Sequence, residues 1–188
     1  LLRGLLAAGL ALLESRLGAL NADPQLLDIN CHRWSYAPFL QAYGARYGAA
    51  RLMGLERDPW YLQPDGLTRA DWARHYAQLA SASFLDADPR DQALPEADLI
   101  TLFLPLILPQ HALRWGLPSS RHDPIGLLRH LYGLLKPGGQ LLIYSGIEVE
   151  HLAGLELLKA LGWPPSAAGP YTCPLRQSQQ GFSICLQA

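Results

Sequence analysis

Leu134-Leu135-Lys136-Pro137-Gly138-Gly139-Gln140-Leu141-Leu142-Ile143-Tyr144 holds a helix end, a reversal and a strand in one run. Leu127, Leu128, Leu131, Leu134 and Leu135 recur at helical core spacing, so a helix is expected over 125–135. Pro137 cannot continue a helix, and Gly138 and Gly139 tolerate the positive φ of a tight turn. Gln140 to Tyr144 is apolar enough for a buried strand. A helix fed straight into a buried strand marks an α/β chain.

The flanking sequence extends that alternation. Strands are expected at 25–29, 51–56, 83–85 and 98–103. Helices are expected over 2–20, 35–47, from Thr68 onward, and over 150–161. Ser35 is placed to cap its helix, with Pro38 in the first turn. Thr68 and Asp71 fit a capping box, Leu67 and Trp72 a hydrophobic staple, and Trp72, Tyr76 and Leu79 share one helical face. The tail reads as a hairpin, with strands at 171–176 and 181–187 around a turn at 177–180. Leu104 to Pro124 is punctuated by prolines and has no period; a stretch of that length is expected to be functional or to carry a small helix. The expected architecture is doubly wound α/β: a mostly parallel seven-stranded sheet with an antiparallel C-terminal hairpin and helices on both faces. Residues 1–20 read as an accessory helix on a domain spanning 21–188. Such sheets bind ligands beyond the carboxyl ends of their strands.

Composition narrows the class. The chain has 188 residues, 49% of them hydrophobic, which suits one domain with a full core. Formal net charge is −1, so no basic face for nucleic acid is advertised. Cys31, Cys173 and Cys185 are odd in number and fit no zinc spacing. Buried free thiols in a reducing, cytoplasmic setting are therefore expected. The apolar start, Leu1 to Leu13, is superficially like a signal-peptide core, but Leu6, Leu10, Leu13, Leu17 and Leu20 follow helical spacing. The chain lacks an initiator Met and is expected to be trimmed. No run reaches the ~18 apolar residues of a membrane span.

Four landmarks fall in order at the strand ends. Asp28 closes the first strand, within Leu26-Leu27-Asp28-Ile29-Asn30-Cys31. Glu56 closes the second, within Gly54-Leu55-Glu56-Arg57-Asp58-Pro59, and Asp86 closes the third. Lys136-Pro137-Gly138-Gly139 precedes the fifth. This order, with the terminal hairpin, resembles the class I S-adenosylmethionine-dependent methyltransferases across roughly 20–188. The resemblance implies that Glu56 grips the ribose hydroxyls and Asp86 meets the adenine amino group. Asp28, Asn30 and His32 would form the first loop, and Phe103 would line the cofactor. A carboxylate suits a vicinal diol because it accepts two charge-assisted hydrogen bonds.

The first loop departs from the family pattern. Glycines are expected at alternate positions after the acid, and here those positions hold Asn30, His32 and Trp34. Asn tolerates left-handed backbone, but His and Trp are not small. Either the loop swings wider and holds the cofactor, or the pocket is partly filled and the domain is a non-catalytic scaffold. Trp34, Tyr36 and Phe39 read as core or as an adenine stack. His111 and His122, in the stretch after strand four, are candidate general bases, because imidazole titrates near working pH. Tyr144, Glu148 and a roof from Trp115 would complete an acceptor pocket. The family's Asn-Pro-Pro-aromatic motif is absent, Phe103-Leu104-Pro105-Leu106 standing in its place. The six histidines show no metal-ligand spacing, and no phosphate loop, nucleophile elbow or G-x-G-x-x-G is present. The expected activity is methyl transfer from S-adenosylmethionine to a small-molecule acceptor, with the scaffold as its rival. A nucleic-acid modifier with its recognition domain elsewhere is a third possibility. Sequence leaves the acceptor and the oligomeric state open.

Overall fold

Residues 2–103, 105–172 and 180–188 are described by a computed structural model, with side chains from residue 9 onward except at 172 and 180. Cys173 and the 177–180 turn lie largely outside that range. The chain order is α1 (Leu2–Arg16), β1 (Gln25–Ile29), α2 (Ala37–Gly44), β2 (Arg51–Leu55), α3 (Arg69–Leu79) and β3 (Ser83–Leu85). It continues with β4 (Ala97–Leu102), α4 (Pro109–Trp115), α5 (Pro124–Gly133), β5 (Leu135–Ser145), α6 (Glu148–Leu161), β6 (Ala167–Thr172) and β7 (Gln180–Gln187). The seven strands form one sheet in the order β3-β2-β1-β4-β5-β7-β6. β1 to β5 run parallel, and β7 is antiparallel to both β5 and β6. The doubly wound reading of the sequence is the observed fold.

Successive side chains of a strand face opposite sides of its sheet. Leu26, Leu52, Leu99 and Leu142 accordingly join Leu13, Leu40, Tyr43 and Ala73 in the core under α1, α2 and α3. Leu27, Ile100, Leu141 and Ile143 join Leu127, Leu131 and Leu158 under α5 and α6. Both faces are covered, which is why these strands read as apolar runs rather than alternating ones.

Several boundaries shift for physical reasons. α2 begins at Ala37, two residues later than expected, because the Ala37 N–H donates to the Trp34 carbonyl and closes a turn first. The capping box on α3 is present: the Asp71 N–H donates to Thr68 Oγ1 at 3.1 Å, and the Thr68 N–H to Asp71 Oδ2 at 2.9 Å. The buried face of α3 is Arg69, Ala70, Ala73 and Ala77, however, while Leu79 is 61% exposed. The unperiodic stretch contains α4, begun by Pro109 at its first turn.

The opening stretch of leucines and glycines also folds differently. α5 ends at Gly133, and β5 has begun by Leu135. Pro137-Gly138-Gly139 is a bulge inside that strand: Ala97 pairs with Leu135, yet Leu99 pairs with Gln140. Gly138 takes φ 78°, and its N–H donates to the Ala188 carbonyl at 3.0 Å. The bulge brings Lys136 Nζ to 2.6 Å from the buried Asp98, which also accepts from the Gln25 N–H at 2.8 Å. That cluster ties together the starts of β1, β4 and β5, at the end of the sheet opposite Asp28 and Glu56.

Candidate functional site

The candidate site lies at the carboxyl ends of β1, β2 and β4. Its floor is the loop after β1. Asn30, His32 and Trp34 take φ of 56°, 55° and 55°, so alternate residues hold the left-handed backbone that glycine would adopt freely. Each such placement costs an L-residue about 1–2 kcal/mol, and the surroundings offset it. The Cys31 N–H donates to the Leu55 carbonyl at 3.0 Å, and the Trp34 N–H to the Cys31 carbonyl at 2.9 Å. Arg57 Nε donates to Asn30 Oδ1 at 2.9 Å. Trp34 is fully buried and passes under β2 at Gly54, where a Cβ would lie 2.6 Å from the indole. The loop does not swing wider; its indole turns into the core instead. Trp34 is therefore core, with Phe84 beside it at 6.4 Å.

Asp28 sits beneath this loop with no exposure. Burial pushes its carboxyl up to about 7, against the hydrogen bond from Thr101, which faces it across the β1–β4 register. Thr101 Oγ1 donates to Asp28 Oδ1 at 2.5 Å. The Tyr36 hydroxyl and Trp34 indole N–H temper the shift from nearby, although neither closes a full hydrogen bond.

Glu56 is the centre of the site, and it is completely buried. Its Oε2 accepts from the His32 N–H at 2.7 Å; its Oε1 accepts from the Asp58 N–H at 2.9 Å and from Trp115 Nε1 at 3.3 Å. Arg69 Nη1 stands 3.7 Å from Oε1. Arg69, itself 2% exposed, also donates to Asp58 Oδ2 at 2.9 Å and to the Trp115 carbonyl at 3.0 Å. Its guanidinium lies 4.1 Å from the Trp115 ring and 4.4 Å from the Tyr61 ring. The His32 imidazole packs against the other partner of this cluster, with its centroid 4.5 Å from that of Trp115. Burial, then the charges of Arg69 and Arg33, lower the His32 pKa to about 4, so the ring is neutral at pH 7.

The remaining candidates disperse. Asp86, expected at the adenine, forms an exposed ion pair with Arg74 at 3.0 Å. Phe103 belongs to an aromatic cluster, 5.0 Å from Tyr36, 5.8 Å from Phe39 and 5.9 Å from Tyr144. His122 Nε2 contacts the Leu106 and Ile107 carbonyls at 3.2 and 3.0 Å, so that nitrogen carries the proton and closes the base of the 105–122 segment. His111 Nδ1 is 3.1 Å from Glu150 Oε1, which also accepts from the Ile107 N–H at 2.9 Å. Glu148, expected inward, is exposed, while Glu150 is buried. Two helical steps rotate a side chain by about 200°, so only one of the pair can face in. Arg69, Asp58 and Glu150 were not among the expected residues. Among the described residues no cluster of His, Cys, Asp and Glu could hold a metal.

A sugar diol gripped by Glu56 needs two free acceptor positions on that carboxylate. A carboxylate has about four lone-pair sites; three receive donors here, and Arg69 faces the carboxylate. The indole N–H takes one of those positions, and the His32 ring packs on the indole. The residues, as arranged, do not fit a nucleoside.

This fold is that of the class I, Rossmann-like S-adenosylmethionine-dependent methyltransferases. A SAM-dependent methyltransferase from Aquifex aeolicus superposes with a TM-score of 0.64 at 14% identity, over 98% of this chain and 90% of that one. Precorrin-6y C5,15-methyltransferase from Geobacter metallireducens GS-15 gives 0.59 at 14% identity, over 96% and 86%. The N-methyltransferase NodS from Bradyrhizobium japonicum WM9, in complex with S-adenosyl-L-homocysteine, gives 0.56 at 16% identity, over 99% and 84%. No protein-family profile matches the chain, and no curated protein matches it. No helix among the described residues is long and apolar enough to cross a membrane.

Proposed function

We propose that the chain is a non-catalytic, methyltransferase-like binding domain whose nucleoside cleft is filled by its own side chains. Glu56 carries this reading. It is fully buried and bonded to His32, Asp58 and Trp115, with Arg69 close by. Separating a buried carboxylate from its cation costs about 3–5 kcal/mol. Micromolar binding is worth about 8 kcal/mol, and each 1.4 kcal/mol is tenfold. Opening the cleft would thus weaken a micromolar cofactor to roughly millimolar. Beside the cleft, Trp60, Tyr61, Leu62 and Leu67 are 65%, 47%, 64% and 42% exposed, an apolar surface fit for a partner. Calorimetric titration with S-adenosylmethionine tests the reading: no heat at millimolar cofactor is expected. Micromolar binding that Glu56→Ala abolishes would refute it.

A second reading is methyl transfer from S-adenosylmethionine to a small-molecule acceptor. It is favoured by the left-handed backbone kept at Asn30, His32 and Trp34, because three strained residues preserve a loop shape that glycines serve elsewhere. His111 supports it too. Glu150 holds one ring nitrogen, as an orienting carboxylate holds a general base. The near-neutral charge of the chain speaks for a small acceptor over nucleic acid.

A further inference from the structure

The loop after β1 sends its side chains in different directions. His32 packs on Trp115, and Trp34 turns into the core. Arg33, between them, stays exposed. Ser35 is expected to cap α2, yet α2 starts at Ala37 with no side-chain cap, so the Ser35 hydroxyl is left over. Arg33 and Ser35 line a hollow of about 100 Å³ together with Trp72 and Tyr76 of α3. The hollow shares no lining residue with the Glu56 cluster. Among the described residues, the Arg33 guanidinium and the Ser35 and Tyr76 hydroxyls have no hydrogen-bond or ion-pair partner.

One wall of the hollow is aromatic and preorganised. Trp72 and Tyr76 are about one helical turn apart, so they stand on the same face of α3. Their ring centroids are 5.9 Å apart and their planes 24° from parallel. Trp72 Nε1 donates to Asp65 Oδ2 at 2.8 Å, which fixes the indole, and Asp65 Oδ1 accepts from the Leu67 N–H at 3.1 Å. The His75 ring stands edge-on to both, at 6.0 and 5.3 Å. The polar side has a countable capacity. A carboxylate has about four lone-pair sites. A guanidinium fork fills two of them with parallel N–H donors, and the two hydroxyls can fill one each. Asp65 lies at the edge of the wall, and its negative charge opposes a doubly charged phosphate more than a singly charged carboxylate. The volume is that of several waters, enough for a carboxylate and a short flat stem against the rings.

We propose that this hollow binds a small organic carboxylate on a flat, apolar stem, with Arg33 as its anion clamp and the Trp72–Tyr76 wall as its platform. The site stands or falls apart from the reading of Glu56. The experiment is a chemical-shift titration of the isotope-labelled chain, followed in proton–nitrogen correlation spectra, with benzoate, acetate, benzyl alcohol and phenyl phosphate. Benzoate is expected to saturate with a Kd on the order of 1 mM, moving the Arg33, Ser35 and Tyr76 amides and the Trp72 indole N–H. Acetate lacks the stem and benzyl alcohol the charge, so each should bind at least about tenfold more weakly. Phenyl phosphate should also bind more weakly than benzoate, because of Asp65. Arg33→Met keeps the aliphatic stem and should lose about tenfold or more in affinity. Arg33→Lys keeps the charge without the fork and should fall between Arg33→Met and wild type. Arg33 is exposed, so both variants keep the fold, which unchanged shifts elsewhere in the spectrum verify. The blocked dipeptide acetyl-Asp-Phe-amide offers the same groups within a chain: tighter binding than benzoate assigns the carboxylate to a docked partner, weaker binding to a free acid. No localised shifts with benzoate at roughly tens of millimolar, or Arg33→Met binding as wild type does, overturns the site. Phenyl phosphate binding more tightly than benzoate overturns the carboxylate assignment.

Discussion

His32 and Asp28 give opposite pH dependences to one loop. The His32 pKa is about 4 in the folded chain against 6.5 for a free imidazole, so the unfolded chain binds more protons between those values. Its contribution to stability is complete above pH 6.5 and is lost as pH falls toward 4. Asp28 is the reverse: folded, it holds its proton up to about 7, against 3.8 unfolded. Stability therefore falls as pH rises across 3.8 to 7, and stays lower above it. The two slopes offset each other in the wild type. Asp28→Asn keeps the size of the group and removes its charge, so its stability in urea should climb between pH 4 and 6.5 and then level. Its advantage over wild type should grow by about 4 kcal/mol between pH 4 and pH 8. His32→Asn, which tolerates the left-handed backbone, should show stability falling from pH 4 to 7. Parallel pH profiles for wild type and both variants would contradict these assignments.

At the scale of elements, the two glycines Gly54 and Gly138 are used for different reasons, and the same substitution separates them. A Cβ at Gly54 would meet the Trp34 ring at 2.6 Å, so Gly54→Ala must push a buried indole and should cost about 1–3 kcal/mol. A Cβ at Gly138 meets nothing within 4 Å, and only its φ of 78° opposes alanine, at about 1 kcal/mol. Denaturant midpoints check the order, and Gly138→Ala proving the more damaging would contradict it. β1 was legible because every residue of it is buried, and the α3 capping box was legible because its signal is local. The Pro-Gly-Gly bulge was not, since a turn before a strand and a kink within it use the same residues. A small helix is expected somewhere in 104–124, but the place of α4 hid because its seven residues lack a full period and begin at a proline. The site was legible only in part. Strand ends fixed where Glu56 and Asp28 stand, but its partners Arg69 and Trp115 lie 13 and 59 positions away and carry no local mark.

Across the whole molecule, the sheet places a carboxylate, Glu56, directly after β2, and a second layer of side chains closes over it. The closure is made by the loop after β1, the start of α3 and α4, all meeting at Glu56. Each has its own support elsewhere: Gly54 for Trp34, Asp58 for Arg69, Glu150 for His111. Any ligand reaching Glu56 would have to displace contacts from all three around one buried charge. The most direct measurement is a crystal structure of the wild-type chain grown with millimolar S-adenosylhomocysteine. The expected result is Glu56 still bonded to His32, Asp58 and Trp115, with no ligand between them. A nucleoside sugar seated on Glu56, with the Trp115 indole swung out of the crevice, would contradict it.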